Sequence, residues 1–258
     1  MDSPAGAREK ERIMDKELTE IIVVLDRSSS MGAVAEETVE GFNTFVKDQQ
    51  ESADGTCLLT LTQFNTEYEI VYSGKPIAEV PPLDFRPAGY TALHDAVGRT
   101  INEVGKRLAD TPEDKRPGMV VMVIITDGEE NSSREFNLEQ VKTMIEHQTD
   151  KYHWEFIFLG QNIDAFHAGH GLGLSNQNAM HFVGQVSNDP GSHRRAYAVA
   201  SSALKGKRHK AARGMDVAYS AQDRDIMTSA LADDGAMSDL DVVAAGTTDS
   251  STSDSSGA

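Results

Sequence analysis

Two runs of aliphatic residues, Ile21 to Leu25 and Met119 to Ile125, restrict the fold more than any other feature of this sequence. Neither run alternates polar with apolar positions, so a strand made from either must be covered on both faces. Strands of that kind sit at the centre of a mostly parallel sheet, with helices packed above and below. Each run also ends abruptly in polar residues, at Asp26 and at Thr126-Asp127.

The intervening segments suit this arrangement. Ala35, Val39, Phe42 and Val46 recur at helical spacing, with Glu36, Glu37, Glu40 and Lys47 on the opposite side. Leu58 to Phe64 and Tyr68 to Tyr72 predict two strands joined at Asn65-Thr66 as a hairpin. After a proline-containing loop, Ala92 to Leu108 is helical, with Leu93, Val97, Ile101, Val104 and Leu108 on one face. A helix over Leu138 to Glu146, a strand over Trp154 to Leu159, a short helix over Gln161 to His170 and a last strand over Ala179 to Val183 follow. The expected fold class is α/β: a doubly wound, Rossmann-like, mostly parallel sheet of about six strands with helices on both faces. The hairpin supplies one antiparallel edge strand. Ligands of such sheets bind outside the carboxyl ends of the strands.

The ends of the chain differ from its middle. Residues 1–17 predict a flexible charged arm, 18–187 the main domain, 188–231 peripheral C-terminal helices and 232–258 a disordered acidic tail. From Ala232 onward there are six Asp and no Lys or Arg, too little apolar surface to offset the entropy of ordering. Asp189-Pro190 reads as a helix start, Tyr197, Ala200 and Leu204 as a narrow apolar stripe, and Ser220 to Leu231 as a further short helix. Lys205, Lys207, Arg208, Lys210 and Arg213 form a basic cluster, expected as a solvated helix end, with nucleic-acid contact as the alternative.

A net charge of -17 argues against nucleic acid or an anionic membrane as the main partner, since both would be repelled. Cys57, the single cysteine, allows no intrachain disulfide and no thiolate metal cluster, and its apolar surroundings predict a small core residue. The run Gly169-x-Gly171-x-Gly173 is expected as a glycine-rich helix exit, because it does not follow a strand. Without an N-terminal apolar segment or a long apolar run, a cytoplasmic location is the expectation.

Oxygen-bearing side chains gather where the central strands end. Asp26-Arg27-Ser28-Ser29-Ser30 follows the first run, Asp127-Gly128 follows the second, and Gly89-Tyr90-Thr91 precedes a helix. Taken singly, the serines could cap a helix, Asp127-Gly128 could be a turn and Thr91 could be an N-cap. Jointly they resemble the metal-ion-dependent adhesion site (MIDAS) of von Willebrand factor A domains. Asp26-x-Ser28-x-Ser30 matches the family's D-x-S-x-S segment, Thr91 its separate threonine and Asp127 its separate aspartate. The resemblance covers roughly Leu18 to Val183, and the lack of disulfides points to an intracellular bacterial or phage-type relative.

The resemblance implies a metal held by Asp26, Ser28, Ser30, Thr91 and Asp127, some of them through water. An all-oxygen donor set suits Mg²⁺, or Mn²⁺ or Ca²⁺, and not zinc. Mg²⁺ takes about six oxygens, so these side chains leave a position for the Asp or Glu carboxylate of a protein partner. The expected function is cation-dependent protein binding, without catalysis. Two alternatives stand beside it. One is a metal-dependent phosphohydrolase on a similar sheet, with Asp26 as phosphoryl acceptor, although a second acid two residues later would be usual and Ser28 stands there. The other is a scaffold whose metal only steadies loops, with its partner on the C-terminal helices or the basic cluster. Asp95, near a helix start, is expected to be structural, and Glu129 and Glu130 to line the rim without ligating. Gln161, Asn162 and Asp164 are expected near the rim or capping a helix. The sequence does not set the oligomeric state.

Overall fold

Strand β1, Asp15–Asp26, is the centre of the molecule. The computed structural model describes residues 14–52, 54–128, 130–160, 169–174, 181–185 and 192–213. The first thirteen residues, most of the helix expected at 161–170, Asp189-Pro190, the helix expected at 220–231 and the acidic tail lie outside the described residues.

After β1 come α1 (Ala35–Gln50), β2 (Thr56–Phe64), β3 (Tyr68–Pro76), α2 (Leu93–Asp110), β4 (Pro117–Thr126), α3 (Leu138–Tyr152), β5 (Glu155–Gly160), β6 (His181–Gln185) and α4 (Ser192–Ala212). The strands form one six-stranded sheet in the order β3-β2-β1-β4-β5-β6. All neighbours run parallel except β3, the expected antiparallel edge.

Strand periodicity divides the core in two. Ile21, Val23 and Leu25 face α1 and α4, meeting Phe42, Phe45, Val46, Tyr197, Ala200 and Leu204. Ile22 and Val24 face the other way, toward Leu93, Val97, Ile101 and Val104 of α2 and Val141 and Ile145 of α3. Both aliphatic runs are therefore covered on both sides, which is why neither alternates. Cys57 lies in the first of these cores, and burial pushes its thiol pKa up to about 11, as befits an inert core residue.

β3 runs on to Pro76, α3 to Tyr152 and β6 to Gln185, beyond the spans expected, and two further differences bear on the core. β1 starts at Asp15, inside the segment expected as an arm, because backbone pairing with Pro117 of β4 and, from Leu18, with Thr56 of β2 carries the polar stretch into the sheet. The second difference is α4, which was expected at the periphery. Its side chains at 197, 200, 204, 207 and 208 share one helical face, and that face is buried against α1 and the sheet. Gly41 of α1 is seated on the Tyr197 ring so closely that an added Cβ would lie 2.4 Å from it.

The basic cluster is accordingly not a solvated helix end. Lys207 and Arg208 are buried, Lys207 in an ion pair with Glu155 of β5. The Arg208 guanidinium donates to the carbonyl oxygens of Gln49 (3.0 Å) and Asp54 (2.9 Å). Lys205 pairs with Asp48 at 2.9 Å and His209 with Asp54 at 3.0 Å. Lys205, Lys207 and Arg208 thus fasten α4 to the domain, while Arg213 stays exposed.

The glycine run is a helix exit. Gly173 has φ +80, its N–H donates to His170, and Leu174 N–H reaches back to the Gly169 carbonyl, the bonding of a left-handed helix terminus.

Candidate functional site

β1 and β4 are adjacent and parallel, so Asp26 and Asp127 emerge side by side at the carboxyl end of the sheet. Asp26 is the last residue of β1 and has no exposed surface. One of its carboxylate oxygens accepts the Ser28 N–H at 2.7 Å and the other accepts the Thr126 hydroxyl at 2.6 Å. The carboxylate is thus held rigidly before anything binds. Burial pushes its pKa from 3.8 up to about 6, against those hydrogen bonds, and the negative charge of Asp127 adds to the rise. Burial also raises the pKa of Asp127.

The hydroxyls continue outward from this floor. Ser28, buried, shares a 3.0 Å hydrogen bond with the hydroxyl of exposed Ser30, which donates to an Asp127 carboxylate oxygen at 2.7 Å. Thr91 is buried, and its hydroxyl approaches the same point from the third loop. A Cβ placed on Gly128 would lie 3.3 Å from Thr91 Oγ1 and 3.6 Å from Ser30 Oγ. All five sequence-predicted residues are therefore brought together, graded from the buried Asp26, Ser28 and Thr91 to the exposed Ser30. Thr91 does not cap α2; the cap position is Ala92 and carries no side-chain bond.

Backbone bonding weaves the loops together. Ala88 N–H donates to the Arg27 carbonyl, Ser29 N–H to the Gly89 carbonyl, and Ala92 N–H to the Asn65 carbonyl. Gly89 has φ +79, and a Cβ there would lie 2.9 Å from Thr66 Oγ1, so the approach requires glycine. Tyr90, one residue before Thr91, has its N–H fixed by Thr66 at 3.0 Å while 70% of its surface is exposed. A rigidly mounted, exposed aromatic thus stands at the rim.

Sequence reasoning missed several contributors. The Thr126 hydroxyl on Asp26 is one. Asn65 is another, its amide donating to the Ala88 carbonyl at 2.7 Å and holding the Thr91 loop. Asp95 and Glu130 do not touch the five donors; each carboxylate accepts backbone N–H groups of the loop after β4. Both pKa values are lowered against the cost of burial, that of Asp95 by its three backbone N–H groups and that of Glu130 first by the Ser133 hydroxyl and then by the N–H groups of His94 and Ser133. Gln161, Asn162 and Asp164 lie outside the described residues, as does Glu129.

The described residues thus form a doubly wound α/β sheet with oxygen-bearing side chains from three loops converging at the carboxyl ends of two central strands. The model of the von Willebrand factor type A domain matches residues 20–207. The chain belongs to that family, whose domains generally mediate protein interactions. The match includes most of α4, in keeping with its place in the core.

No curated protein matches the chain. Among solved structures, the pilus adhesin SpaC from Lactobacillus rhamnosus GG, in an open conformation, is similar at TM-score 0.55 and 14% identity, over 72% of this chain and 30% of that one. The PilB minor pilin from Streptococcus sanguinis gives 0.52 and 10%, over 75% of this chain and 62% of that one. Proximal thread matrix protein 1 from the mussel byssus, with a zinc-occupied MIDAS motif, gives 0.47 and 17%, over 75% and 46%. At these identities the likeness to the first two is one of fold, and the chain spans less than two thirds of each of the three structures.

Proposed function

We propose that this domain binds a divalent cation through Asp26, Ser28, Ser30, Thr91 and Asp127, and uses it to capture an Asp or Glu carboxylate of a protein partner. The observation that carries this reading is the convergence of two carboxylates and three hydroxyls on one point, with Asp26 buried and preorganised. Neighbouring carboxylates whose charged forms burial disfavours are a place where a cation is favoured. The donors are all oxygen, which fits Mg²⁺, Mn²⁺ or Ca²⁺. When bound, the cation would supply positive charge for an acidic ligand. Asp26 and Ser28 would form the floor, Thr91 one wall, and Ser30 and Asp127 the solvent-facing side.

The same geometry favours binding over phosphoryl transfer. A phosphoryl-accepting aspartate is usually followed two residues later by a second acid, and here that position is Ser28, whose N–H and hydroxyl are both turned into the crevice's own hydrogen bonding. The exposed Tyr90 extends the surface a partner would touch. None of the described helices is long and apolar enough to cross a membrane.

A displayed random-peptide library panned on the protein in Mg²⁺ tests this reading. The selected peptides are expected to share an Asp or Glu, to be released by chelator and to be lost on Thr91→Ala. Peptides without acidic residues, or binding that persists in chelator, would overturn it.

A further inference from the structure

Helix α2 starts without a local cap, although the first turn of a helix leaves its N–H groups unpaired. Ala92 has no polar side chain to offer. The missing acceptors come from the loop after β4, about forty residues further along the chain. His94 N–H donates to Glu130 Oε2 at 2.9 Å, and Asp95 N–H to Ser133 Oγ at 3.1 Å.

The exchange runs in both directions. The Asp95 carboxylate accepts the N–H groups of Arg134, Glu135 and Phe136, each at 2.8 Å. The Glu130 carboxylate accepts those of Ser132 (2.9 Å) and Ser133 (2.7 Å), with the Ser133 hydroxyl at 2.6 Å. Charge-assisted bonds of this kind are about twice as strong as neutral ones. Between residues 130 and 135 this loop buries no apolar side chain, so polar bonding is what gives it a fixed path.

That path ends on Thr91. Its N–H donates to Asn131 Oδ1 at 2.9 Å, while its carbonyl accepts the N–H groups of Asn131 (3.0 Å) and Ser132 (3.1 Å). Both backbone polar groups of Thr91 are therefore held by residues four and five positions beyond Asp127. The two loops that bring Thr91 and Asp127 to the crevice are fastened to each other directly.

We infer that Asn131, supported by Asp95 and Glu130, is a positioning residue that fixes Thr91 relative to Asp127 and so sets how tightly the crevice holds a cation. The inference rests on the metal-site reading and adds residues outside the five donors. Asn131 is exposed and touches none of those donors' side-chain oxygens, so its effect is transmitted through the Thr91 backbone. Groups that orient metal ligands in this way change affinity by about 10- to 100-fold when removed.

The test uses the full chain and Mn²⁺ alone as probe. Three quantities are read for wild type, Asn131→Ala and Asn131→Asp: the Mn²⁺ dissociation constant, the Thr91 amide exchange rate without metal, and the urea midpoint in chelator. Asn131→Ala is expected to weaken Mn²⁺ binding about tenfold or more and to speed Thr91 exchange, with little change in midpoint. Asn131→Asp, which keeps the acceptor, is expected to restore slow exchange and wild-type or tighter affinity. Faster exchange with Mn²⁺ affinity unchanged within twofold would overturn the positioning role and leave the metal site standing. Equal loss of affinity in Asn131→Asp would overturn it too. A wild type that takes up no Mn²⁺ would overturn the metal reading and this inference together.

Discussion

Lys207→Met is expected to destabilise the domain by about 3–5 kcal/mol, the cost of stranding a buried charge without its partner. Lys207 and Glu155 are both almost wholly inaccessible, and they face each other across the packing of α4 on β5. Burial raises the Glu155 pKa, and the Lys207 ammonium pulls against that rise. Removing the ammonium leaves a carboxyl that must either stay charged in an apolar setting or take up a proton. The double variant Glu155→Leu with Lys207→Met is expected to recover most of the loss, because an apolar pair of similar volume carries no desolvation cost. Urea denaturation of both variants decides the matter. A single-variant cost below about 1 kcal/mol would mean that the pair contributes no more than an exposed one. The pair lies toward the amino end of β5, away from the crevice, so cation affinity should be unaffected wherever the fold persists.

Asp26→Asn is expected to act in the opposite direction in metal-free protein. The folded-state pKa of Asp26 is raised from 3.8 to about 6, so its charged form costs stability that the unfolded chain does not lose. The sign follows from which state binds more protons. Below about pH 4 both states hold the proton and there is no penalty. Between about pH 4 and pH 6 only the folded state holds it, so stability falls as pH rises, and above that the penalty is complete. Asn removes the charge, so chelator-stripped Asp26→Asn should exceed wild type by about 3 kcal/mol at pH 7 and come close to it near pH 4. Adding Mg²⁺ at a hundred times its dissociation constant should stabilise wild type alone by about 2.7 kcal/mol and so close most of that gap, since only wild type keeps the carboxylate for the cation. Thermal melts at the two pH values, with and without Mg²⁺, read all four states. A variant less stable than wild type at pH 7 in chelator would show that the hydrogen bonds to Asp26 outweigh its buried charge.

Much of this architecture can be read from residues whose burial leaves a pattern. Ile21 to Leu25 and Met119 to Ile125 announce central strands because both faces of each are covered, and Asp26 and Asp127 mark where they end. Asp26, Ser28, Ser30 and Asp127 are legible because they follow such an end, and Thr91, which precedes α2, only because the set resembles the family's motif. What is not legible follows from interactions without periodicity. Asp15 to Leu18 enters the sheet through backbone pairing, which a polar stretch does not advertise. Lys207 and Arg208 read as surface charges, yet they are buried because Glu155 and the carbonyls of Gln49 and Asp54 receive them. Glu20 is similar: a charged residue within a strand, buried with Thr60 and Arg107 as partners. Asn131 and Asp95 act on backbone groups some forty positions away, which a linear sequence gives no means to pair.

The most direct test is to melt the chelator-stripped protein with and without millimolar Mg²⁺, Mn²⁺ and Ca²⁺, beside Asp26→Ala and Asp127→Ala. A cation at a hundred times its dissociation constant stabilises the native state by about 2.7 kcal/mol, which raises the midpoint of a domain this size by roughly 5–10 °C. Wild type is expected to show that rise with at least one of these ions, and both variants to show none. A wild type indifferent to all of them, or variants that respond as it does, would contradict a cation site at these residues.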